Sequence, residues 1–314
     1  MSKILEEFLH AKSPIKIFVS YHKKFIKTCS EIVIPMHIGR AIAKKPAYDG
    51  VIKNNEYKWL INNTIGDDTG DNISSENRRY CELTAQYWVW KHLEEFKGTD
   101  YIGFMHYRRQ FLFNDKIPTK NRTLWYLSIP DMFCINSFRR LISYLNLNKK
   151  DIYKEVLGYD CVILKPFDVT NINSKSVKER FRFLVKPKAE RLDVLEKTVK
   201  EMYPEYSDAV EKVLNGNMQV LCNMYIMKKE LFKEYAQFLF NILSKLDKEF
   251  DYSENETPNT MRSIGYMGEV ILTIFIMQKK HNLKINCLKG LLYGDGSIIR
   301  VLKLLKLCLL TKFN

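Results

Sequence analysis

A histidine and two arginines follow a short apolar run near the middle of the chain. The run YIGFM at 101–105 leads into His106, Arg108 and Arg109, with one tyrosine among them. Such a run predicts a buried strand, and ligands bind just outside the carboxyl ends of strands in open α/β sheets. An arginine at that edge can hold a phosphate through two hydrogen bonds, whereas the alternative is a solvated basic turn. Because side chains alternate along a strand, we expect His106 and Arg108 on one face and Arg109 on the other.

Three carboxylates lie within five residues of a turn-rich loop at 65–74 (IGDDTGDNIS). They are Asp67, Asp68 and Asp71, and Asn72 follows them. Carboxylate oxygens in such a loop can coordinate a metal ion or accept hydrogen bonds from a sugar. The alternative is an acidic turn whose side chains bond their own backbone.

Two glutamates are candidates for work on a substrate hydroxyl. Glu269 follows two glycines at the opening of a strongly apolar segment, where burial can raise its pKa and suit it to act as a base. Glu82 lies near a predicted helix start and can hydrogen-bond a substrate hydroxyl. For both, the alternative is a favourable charge at the positive end of a helix.

Apolar strands alternate with helices along the chain and must position these residues. Strands are predicted at 15–20, 32–34, 101–105, 161–164, 219–227 and 283–287. Helices are predicted at 80–91, 228–250 and 263–280, the first because Leu83, Tyr87 and Trp90 recur on one face. This alternation predicts an α/β sheet with crossover connections. We predict one domain over residues 1–290, with an irregular insertion above the site at 114–148, and a separate tail over 291–314.

The composition indicates a folded protein with an anionic partner. The 314 residues are 46% hydrophobic and carry a net charge of +14, which favours nucleic acid, a phosphorylated molecule or an acidic membrane face as the partner. The seven cysteines include no C-x-x-C pair, which argues against a disulfide framework and a zinc site. P-loop, H-E-x-x-H, G-x-S-x-G and G-x-G-x-x-G motifs are missing, which argues against the common enzyme classes that carry them.

The tail differs in kind from the rest of the chain. At 298–313 leucines alternate with Arg300, Lys303 and Lys306, whose spacing places them on one side of a helix. Such a helix is too short and too charged to span a bilayer, but it suits an anionic membrane surface. The alternative is a core helix with a charged outer stripe. The first thirteen residues lack a signal-peptide pattern, so we expect a cytoplasmic protein that is soluble or attached to the membrane surface.

Four ordered segments match the signature of a known family. They are GDDTGDNIS (66–74), NRRYCELTAQYWVWKH (77–92), DYIGFMHYRRQF (100–111) and NMYIMKKELF (223–232). Over residues 15 to about 280 the chain resembles bacterial capsular and exopolysaccharide glycosyltransferases, long catalogued as a domain of unknown function. The resemblance implies a GT-A-like, Rossmann-type mixed sheet flanked by helices, to which the tail adds an amphipathic helix.

The resemblance also implies a role for each candidate residue. Nucleotide and phosphate binding falls to Tyr21, His22, Lys23, His106, Arg108 and Arg109. The donor sugar is expected near Asp71, Asn72, Glu82 and Asn223. Glu269 is expected to deprotonate the acceptor hydroxyl in an inverting transfer, while Arg108 and Lys23 stabilise the leaving diphosphate. Many GT-A enzymes carry Asp-x-Asp at the position of 106–108, so dependence on Mn²⁺ or Mg²⁺ stays open, with Asp67, Asp68 and Asp71 as reserve ligands.

The resulting hypothesis is a glycosyltransferase that extends a lipid-linked oligosaccharide for capsule, exopolysaccharide or O-antigen, at the inner face of the bacterial cell membrane. The donor is expected to be UDP-linked galactose or galactofuranose. The rival is a non-catalytic nucleic-acid-binding protein, but the cations are spread along the chain, so no nucleic-acid partner is expected. A third alternative is an inactive module of the same fold that binds nucleotide without turnover.

Overall fold

The fold is that of a computed structural model, which describes residues 3–46, 51–114, 132–134, 148–252 and 256–292. The predicted membrane helix at 298–313 lies outside the described residues. So does most of the predicted insertion at 114–148. Those two predictions therefore stay predictions.

The described residues contain twelve short strands. They are β1 (Ile15–Tyr21), β2 (Val33–His37), β3 (Ile65–Gly66), β4 (Tyr101–His106), β5 (Arg109–Phe111), β6 (Met132–Cys134), β7 (Cys161–Leu164), β8 (Phe167–Asp168), β9 (Met218–Gln219), β10 (Tyr225–Lys228), β11 (Ile285–Leu288) and β12 (Gly290–Leu292).

The α-helices of the described residues alternate with these strands. They are α1 (Lys3–His10), α2 (Asn54–Asn63), α3 (Asn77–Tyr80), α4 (Leu83–Lys91), α5 (Lys149–Val156), α6 (Val177–Leu184), α7 (Arg191–Met202), α8 (Ser207–Asn215), α9 (Lys229–Glu249), α10 (Pro258–Met261) and α11 (Ser263–Lys279).

The main sheet has the strand order β11-β7-β10-β4-β1-β2-β3. Within this path only β10 is reversed, because it pairs antiparallel with both β4 and β7 while the other neighbours pair in parallel. The carboxyl ends of β1, β2 and β4 therefore share one edge of the sheet with the beginning of β10. This edge is the predicted place for ligands.

Strand β1 lies in the middle of the sheet and supplies both of its faces. All seven of its residues are buried, as expected for a parallel strand covered on both sides. Phe18 enters the larger core with α4, α9 and α11, whereas Ile17 and Val19 enter a second core with α2 and α5. This arrangement confirms the predicted mixed α/β sheet flanked by helices.

Lys16 is the charged exception within β1. Its side chain is only 1% exposed, and its Nζ donates hydrogen bonds to the carbonyl oxygens of Phe8 (2.8 Å) and Glu31 (3.3 Å). Burial lowers the pKa of Lys16 to about 8, although the nearby Glu31 carboxylate acts in the opposite direction. The ammonium group thus ties α1 and the β1–β2 connection to the sheet.

Two predicted elements are interrupted, and both interruptions fall at the carboxyl edge. The single strand predicted at 219–227 is wrong, because β9 ends at Gln219 and β10 begins only at Tyr225. Between them Cys222 and Asn223 have φ values of 71° and 49°, which lie in the left-handed region and interrupt the extended backbone of a strand. The predicted helix at 80–91 begins only at Leu83, since Cys81 has a φ of 51° and separates α3 from α4.

The predicted boundary between domain and tail falls inside a strand. Strand β12 runs across residue 290 to Leu292 and pairs with both β5 and β6. Residues 290–292 therefore belong to the sheet, whereas 293–314 lie outside the described residues.

Candidate active site

Four of the predicted site residues meet at the carboxyl edge, between β4 and β10. His106 ends β4, Asn223 lies in the loop before β10, Glu82 directly precedes α4, and Glu269 lies in the second turn of α11. The loop before β10 reaches this edge because β10 runs against β4. Three helical or loop segments distant in sequence are thus gathered around one strand end.

Asn223 is the hydrogen-bonding centre of this group. Its side chain is 1% exposed, and its Nδ2 donates to Glu82 Oε1 (2.7 Å) and to the carbonyl oxygen of Gly265 (3.0 Å). Its own carbonyl oxygen accepts a hydrogen bond of 2.9 Å from Gln86 Nε2. Asparagine is among the few residues that tolerate the left-handed backbone found here, which explains its use at this turn.

Glu269 lies beside the same loop, with its side chain 12% exposed. Its Oε1 accepts a hydrogen bond of 2.8 Å from the backbone N–H of Cys222, and its Oε2 lies 3.6 Å from Arg180 Nη1. Burial raises the pKa of Glu269 above the ordinary value of a glutamate, and the nearby Glu82 carboxylate adds to this. The charge of Arg180, the Cys222 N–H and the charge of Arg109 act in the opposite direction. A carboxylate in this environment is suited to accept a proton.

The end of β4 is a tight hairpin, and this changes which arginine faces the site. His106 pairs directly with Arg109 across the turn formed by Tyr107 and Arg108. Directly opposed residues of an antiparallel pair lie on one face of the sheet. The prediction that Arg108 shares the face of His106 is therefore wrong, because the strand ends before the alternation reaches it. The Arg108 guanidinium lies instead 5.2 Å from the ring centre of Tyr107.

His106 is held by the backbone of the loop before β10. Its Nε2 lies 2.7 Å from the carbonyl oxygen of Cys222, so the ring must carry its proton on Nε2 and donate it there. Burial lowers the pKa of His106, the Glu82 carboxylate opposes this, and the charge of Arg109 lowers it further. His106 therefore orients the loop that presents Asn223, and its lowered pKa disfavours the charged ring that would attract a phosphate.

A cavity of about 320 Å³ opens at the carboxyl ends of β1 and β2. Its volume is in the range of small-molecule sites. The cationic and histidine side chains of its lining are His22, Lys23, His37, Lys45, Lys53 and Arg78. Apolar walls come from Ile38, Ile42, Ala43, Val51 and Ile52. Apolar walls with several cations suit the ring and the phosphates of a nucleotide.

Three residues at the end of β1 and directly after it were predicted to bind the nucleotide, and they divide into two groups. His22 and Lys23 line the cavity as expected. Tyr21 does not, because its side chain is fully buried and its hydroxyl is bonded to Thr28 Oγ1 (3.0 Å) and the carbonyl oxygen of Ile26 (2.9 Å). Its ring packs on the ring of Tyr107 with 5.5 Å between the centres, so Tyr21 helps to fix the turn that follows β4.

Two residues of the cavity lining, Asn77 and His22, contact segments next to the Glu269 group. Asn77 lines the cavity, and its Nδ2 donates to the carbonyl oxygen of Cys81 (2.6 Å) and to Thr84 Oγ1 (3.0 Å). On the other side, the Tyr107 hydroxyl lies 3.4 Å from His22 Nε2. The cavity and the buried carboxylate therefore belong to one continuous edge.

Comparison with known proteins places this arrangement in a family. A family model described as "Domain of unknown function (DUF4422)" matches residues 16–281. The chain belongs to this family.

Among solved structures, the bifunctional glycosyltransferase WbbM in its apo form is similar with a TM-score of 0.73 and 28% sequence identity. The match covers 90% of this chain and 46% of that chain, so the DUF4422 chain spans about half the length of its relative. The fold is GT-A-like, as the sequence predicted. No curated protein matches.

The acidic loop of this DUF4422 chain is held in place by a cluster of hydrogen bonds to Asp67. The carboxylate is fully buried and accepts four hydrogen bonds: from the backbone N–H groups of Gly39 and Arg40, and from the hydroxyls of Ser74 (2.5 Å) and Thr84 (2.7 Å). Burial raises the pKa of Asp67, and the four hydrogen bonds act in the opposite direction. Both of its oxygens are engaged by protein donors.

The other residues of the loop point elsewhere. Asp68 pairs with Arg40 at 3.0 Å, and the exposed Asp71 accepts from the Tyr87 hydroxyl at 3.1 Å. Asn72 closes a local turn by bonding the backbone of residues 70 and 74. Asp67, Asp68 and Asp71 therefore do not fit a metal site, and none is formed by His, Cys, Asp and Glu side chains within the described residues. The prediction that Asp71 and Asn72 lie near the donor sugar with Glu82 and Asn223 is not supported, because neither residue contacts that pair in the described part of the chain.

Two arginines of the site were missed by the sequence analysis. Arg180 of α6 is described above, and Arg262 donates from Nε to Cys81 Sγ at 3.3 Å, where its charge also acts on Glu82. Neither stands in a recognisable motif. The sequence does carry a signal for the close approach of α11 to this loop, namely the spacing of Gly265 and Gly268. A Cβ at Gly268 would lie only 2.9 Å from Asn223 Oδ1. These glycines let α11 approach the loop closely enough to deliver Glu269.

Proposed function

We propose that this chain is a glycosyltransferase that uses a nucleotide-sugar donor. The observation that carries the proposal is the pairing of a cationic cavity, at the ends of β1 and β2, with a buried glutamate on the same sheet edge. The similarity to one half of a bifunctional glycosyltransferase supports it. Nucleotide in the cavity would direct its sugar toward the group of Glu82, Asn223 and Glu269.

The proposed chemistry is an inverting transfer with Glu269 as the base. Glu269 Oε2 takes the proton of an acceptor hydroxyl, whose oxygen forms a bond to the anomeric carbon as the bond to the diphosphate breaks. The electron pair of that bond leaves on the diphosphate oxygen, where charge develops. Lys23 and Arg108 are proposed to stabilise this charge, and the charge of Arg109, which also acts on Glu269, supports adding it to them. No step is assigned to a metal ion.

The finer assignments follow the resemblance and the size of the cavity. The donor is proposed to be UDP-linked, with galactose or galactofuranose as the transferred sugar. The acceptor is proposed to be a lipid-linked oligosaccharide in capsule, exopolysaccharide or O-antigen synthesis. Within the described residues no helix has the length and apolarity to cross a membrane. We propose that residues 298–313 attach the protein to the inner face of the cell membrane.

The test is nucleotide release from a panel of sugar nucleotides, with and without Mn²⁺, by the wild type, Glu269→Gln and Glu269→Ala. We expect release by the wild type with an acceptor extract, and a loss of at least about 100-fold in both variants. Glu249→Gln, on the exposed end of α9, is the matched control. Equal release by wild type and the Glu269 variants removes the base assignment, and no release with any donor removes the proposed function.

The membrane assignment is tested separately. Deleting 298–314 is expected to release the protein from anionic liposomes in a sedimentation assay while its circular dichroism spectrum stays unchanged. Unchanged sedimentation contradicts the assignment.

A further inference from the structure

Arg180 enters the site from a helix that supplies no other residue to it. It lies in α6, its side chain is 14% exposed, and its Nη1 donates a hydrogen bond of 2.8 Å to Gln219 Oε1. Gln219 ends β9 and is fully buried. The guanidinium is therefore fixed in place by a partner other than Glu269.

The two oxygens of Glu269 have different surroundings. Oε1 is occupied by the backbone N–H of Cys222 at 2.8 Å. Oε2 is buried, has no hydrogen-bond partner in the described part of the chain, and lies 3.6 Å from Arg180 Nη1. That separation is too long for a hydrogen bond but short enough for a strong charge interaction. Oε2 thus keeps its lone pairs available while a positive charge stands beside it.

We propose that Arg180 is a positioning residue for the base, holding Oε2 of Glu269 ionised and aimed without occupying it. The inference rests on the proposed function. Gln219 fixes the guanidinium at a distance that favours the charged carboxylate and leaves room for the acceptor hydroxyl. A directly bonded arginine would instead occupy one lone pair of Oε2 and make this oxygen a weaker proton acceptor.

The charges around Glu269 make this role specific to Arg180. Glu82, from the segment before α4, repels the carboxylate, and Arg109, from β5, attracts it. The uncharged Cys222 N–H donates from the loop before β10, and Cys81 and Tyr266 also face it. Without Arg180, only the Cys222 N–H and the weaker effect of the Arg109 charge oppose the effects of burial and Glu82 on the pKa of Glu269. The pKa of Glu269 then rises, and the base becomes protonated at pH values where the wild type is active.

The experiment compares the pH dependence of kcat in the wild type, Arg180→Gln and Arg180→Lys. Arg180→Gln is expected to lower kcat at pH 7 by about 10- to 100-fold and to move the acid limb of the profile up by about one pH unit. The KM for the donor is expected to stay within about twofold, because Arg180 faces the base. Arg180→Lys keeps the charge and is expected to restore the limb to within about 0.3 unit.

The matched control is Arg182→Gln, on the same helix, whose guanidinium pairs with Asp193 on the surface at 2.6 Å. It is expected to leave both kcat and the profile unchanged. An unshifted limb in Arg180→Gln overturns the inference while the activity of the wild type still stands. If Arg180→Gln does not fold, the test rests on Arg180→Lys. In that case an acid limb of the kcat profile displaced by a full pH unit overturns the inference. Absence of turnover in the wild type removes the proposed function itself.

Discussion

The side-chain amide of Asn223 donates a hydrogen bond of 2.7 Å to Glu82 Oε1 and so joins the loop before β10 to the start of α4. The same nitrogen bonds the carbonyl oxygen of Gly265 in α11 at 3.0 Å. One buried amide therefore sets the spacing of the three segments that carry the candidate site.

Replacing Asn223 by aspartate is expected to abolish turnover and to lower the free energy of unfolding by about 1–3 kcal/mol, because a donor becomes an acceptor beside two acceptors. Urea unfolding and nucleotide release are the measurements. Asn223→Gly is the backbone control, since glycine accepts the φ of 49° without strain. An active, stable Asn223→Asp protein would contradict the role of the amide.

The role of Asp67 is tested by Asp67→Asn. An amide nitrogen facing backbone and hydroxyl donors is expected to cost about 2–4 kcal/mol of stability, measured by urea unfolding, and Mn²⁺ is expected to restore none of it. Asp71→Asn, in the same loop but exposed, is the control and is expected to change stability by less than about 0.5 kcal/mol. If Mn²⁺ restored the stability of Asp67→Asn, or raised that variant's activity to the wild-type level, the loop would again be a candidate metal site.

The cations of the cavity are expected to bind phosphate in preference to the nucleoside. The double variant Lys23→Ala, Arg78→Ala is expected to weaken UDP binding by about tenfold or more, measured by calorimetry, and to weaken uridine binding much less. Lys24→Ala changes the next residue along the chain, which is outside the lining described above, and serves as the control. Equal losses for UDP and uridine would show that the two cations do not contact phosphate.

Lys16 predicts a pH dependence of stability. Its pKa is lowered to about 8 in the folded chain from the ordinary value of 10.5, so the unfolded chain binds more protons between those two pH values. Stability from this group is therefore complete only above about pH 10.5 and is lost as the pH falls through about 8. Relative to Lys16→Met, the wild type is expected to gain about 2 kcal/mol between pH 8 and 10 in urea unfolding. A constant difference between the two proteins would show that the ammonium is not desolvated.

The sequence predicted the elements whose patterns are long and regular. The strands at 15–20, 101–105 and 161–164 and the helices at 228–250 and 263–280 are confirmed to within two residues. Their apolar runs are set by burial on the sheet or in the core, which periodicity records directly. Glu82, His106, Asn223 and Glu269 lie together, and the roles that the resemblance implies for them stay predictions.

The parts that failed depend on single backbone conformations or on distant partners. The positive φ of Cys222 breaks an apolar run that alone favours a strand, and the hairpin at Tyr107 reverses the face expected for Arg109. Arg180 lies in a charged helix with many similar residues, and only its distance to Glu269 distinguishes it. No local pattern encodes such a distance.

The reversed strand β10 has an evolutionary consequence. The segment between β7 and β10 leaves and rejoins the main sheet at the same edge, and it contains three helices, α6 to α8, and the small β8–β9 pair. Because this segment also carries Arg180, Cys222 and Asn223, a length change within it alters the surroundings of Glu269 while β1, β2 and β4 keep their pairing. Related chains can in this way share one sheet and differ in the groups that surround its carboxyl edge.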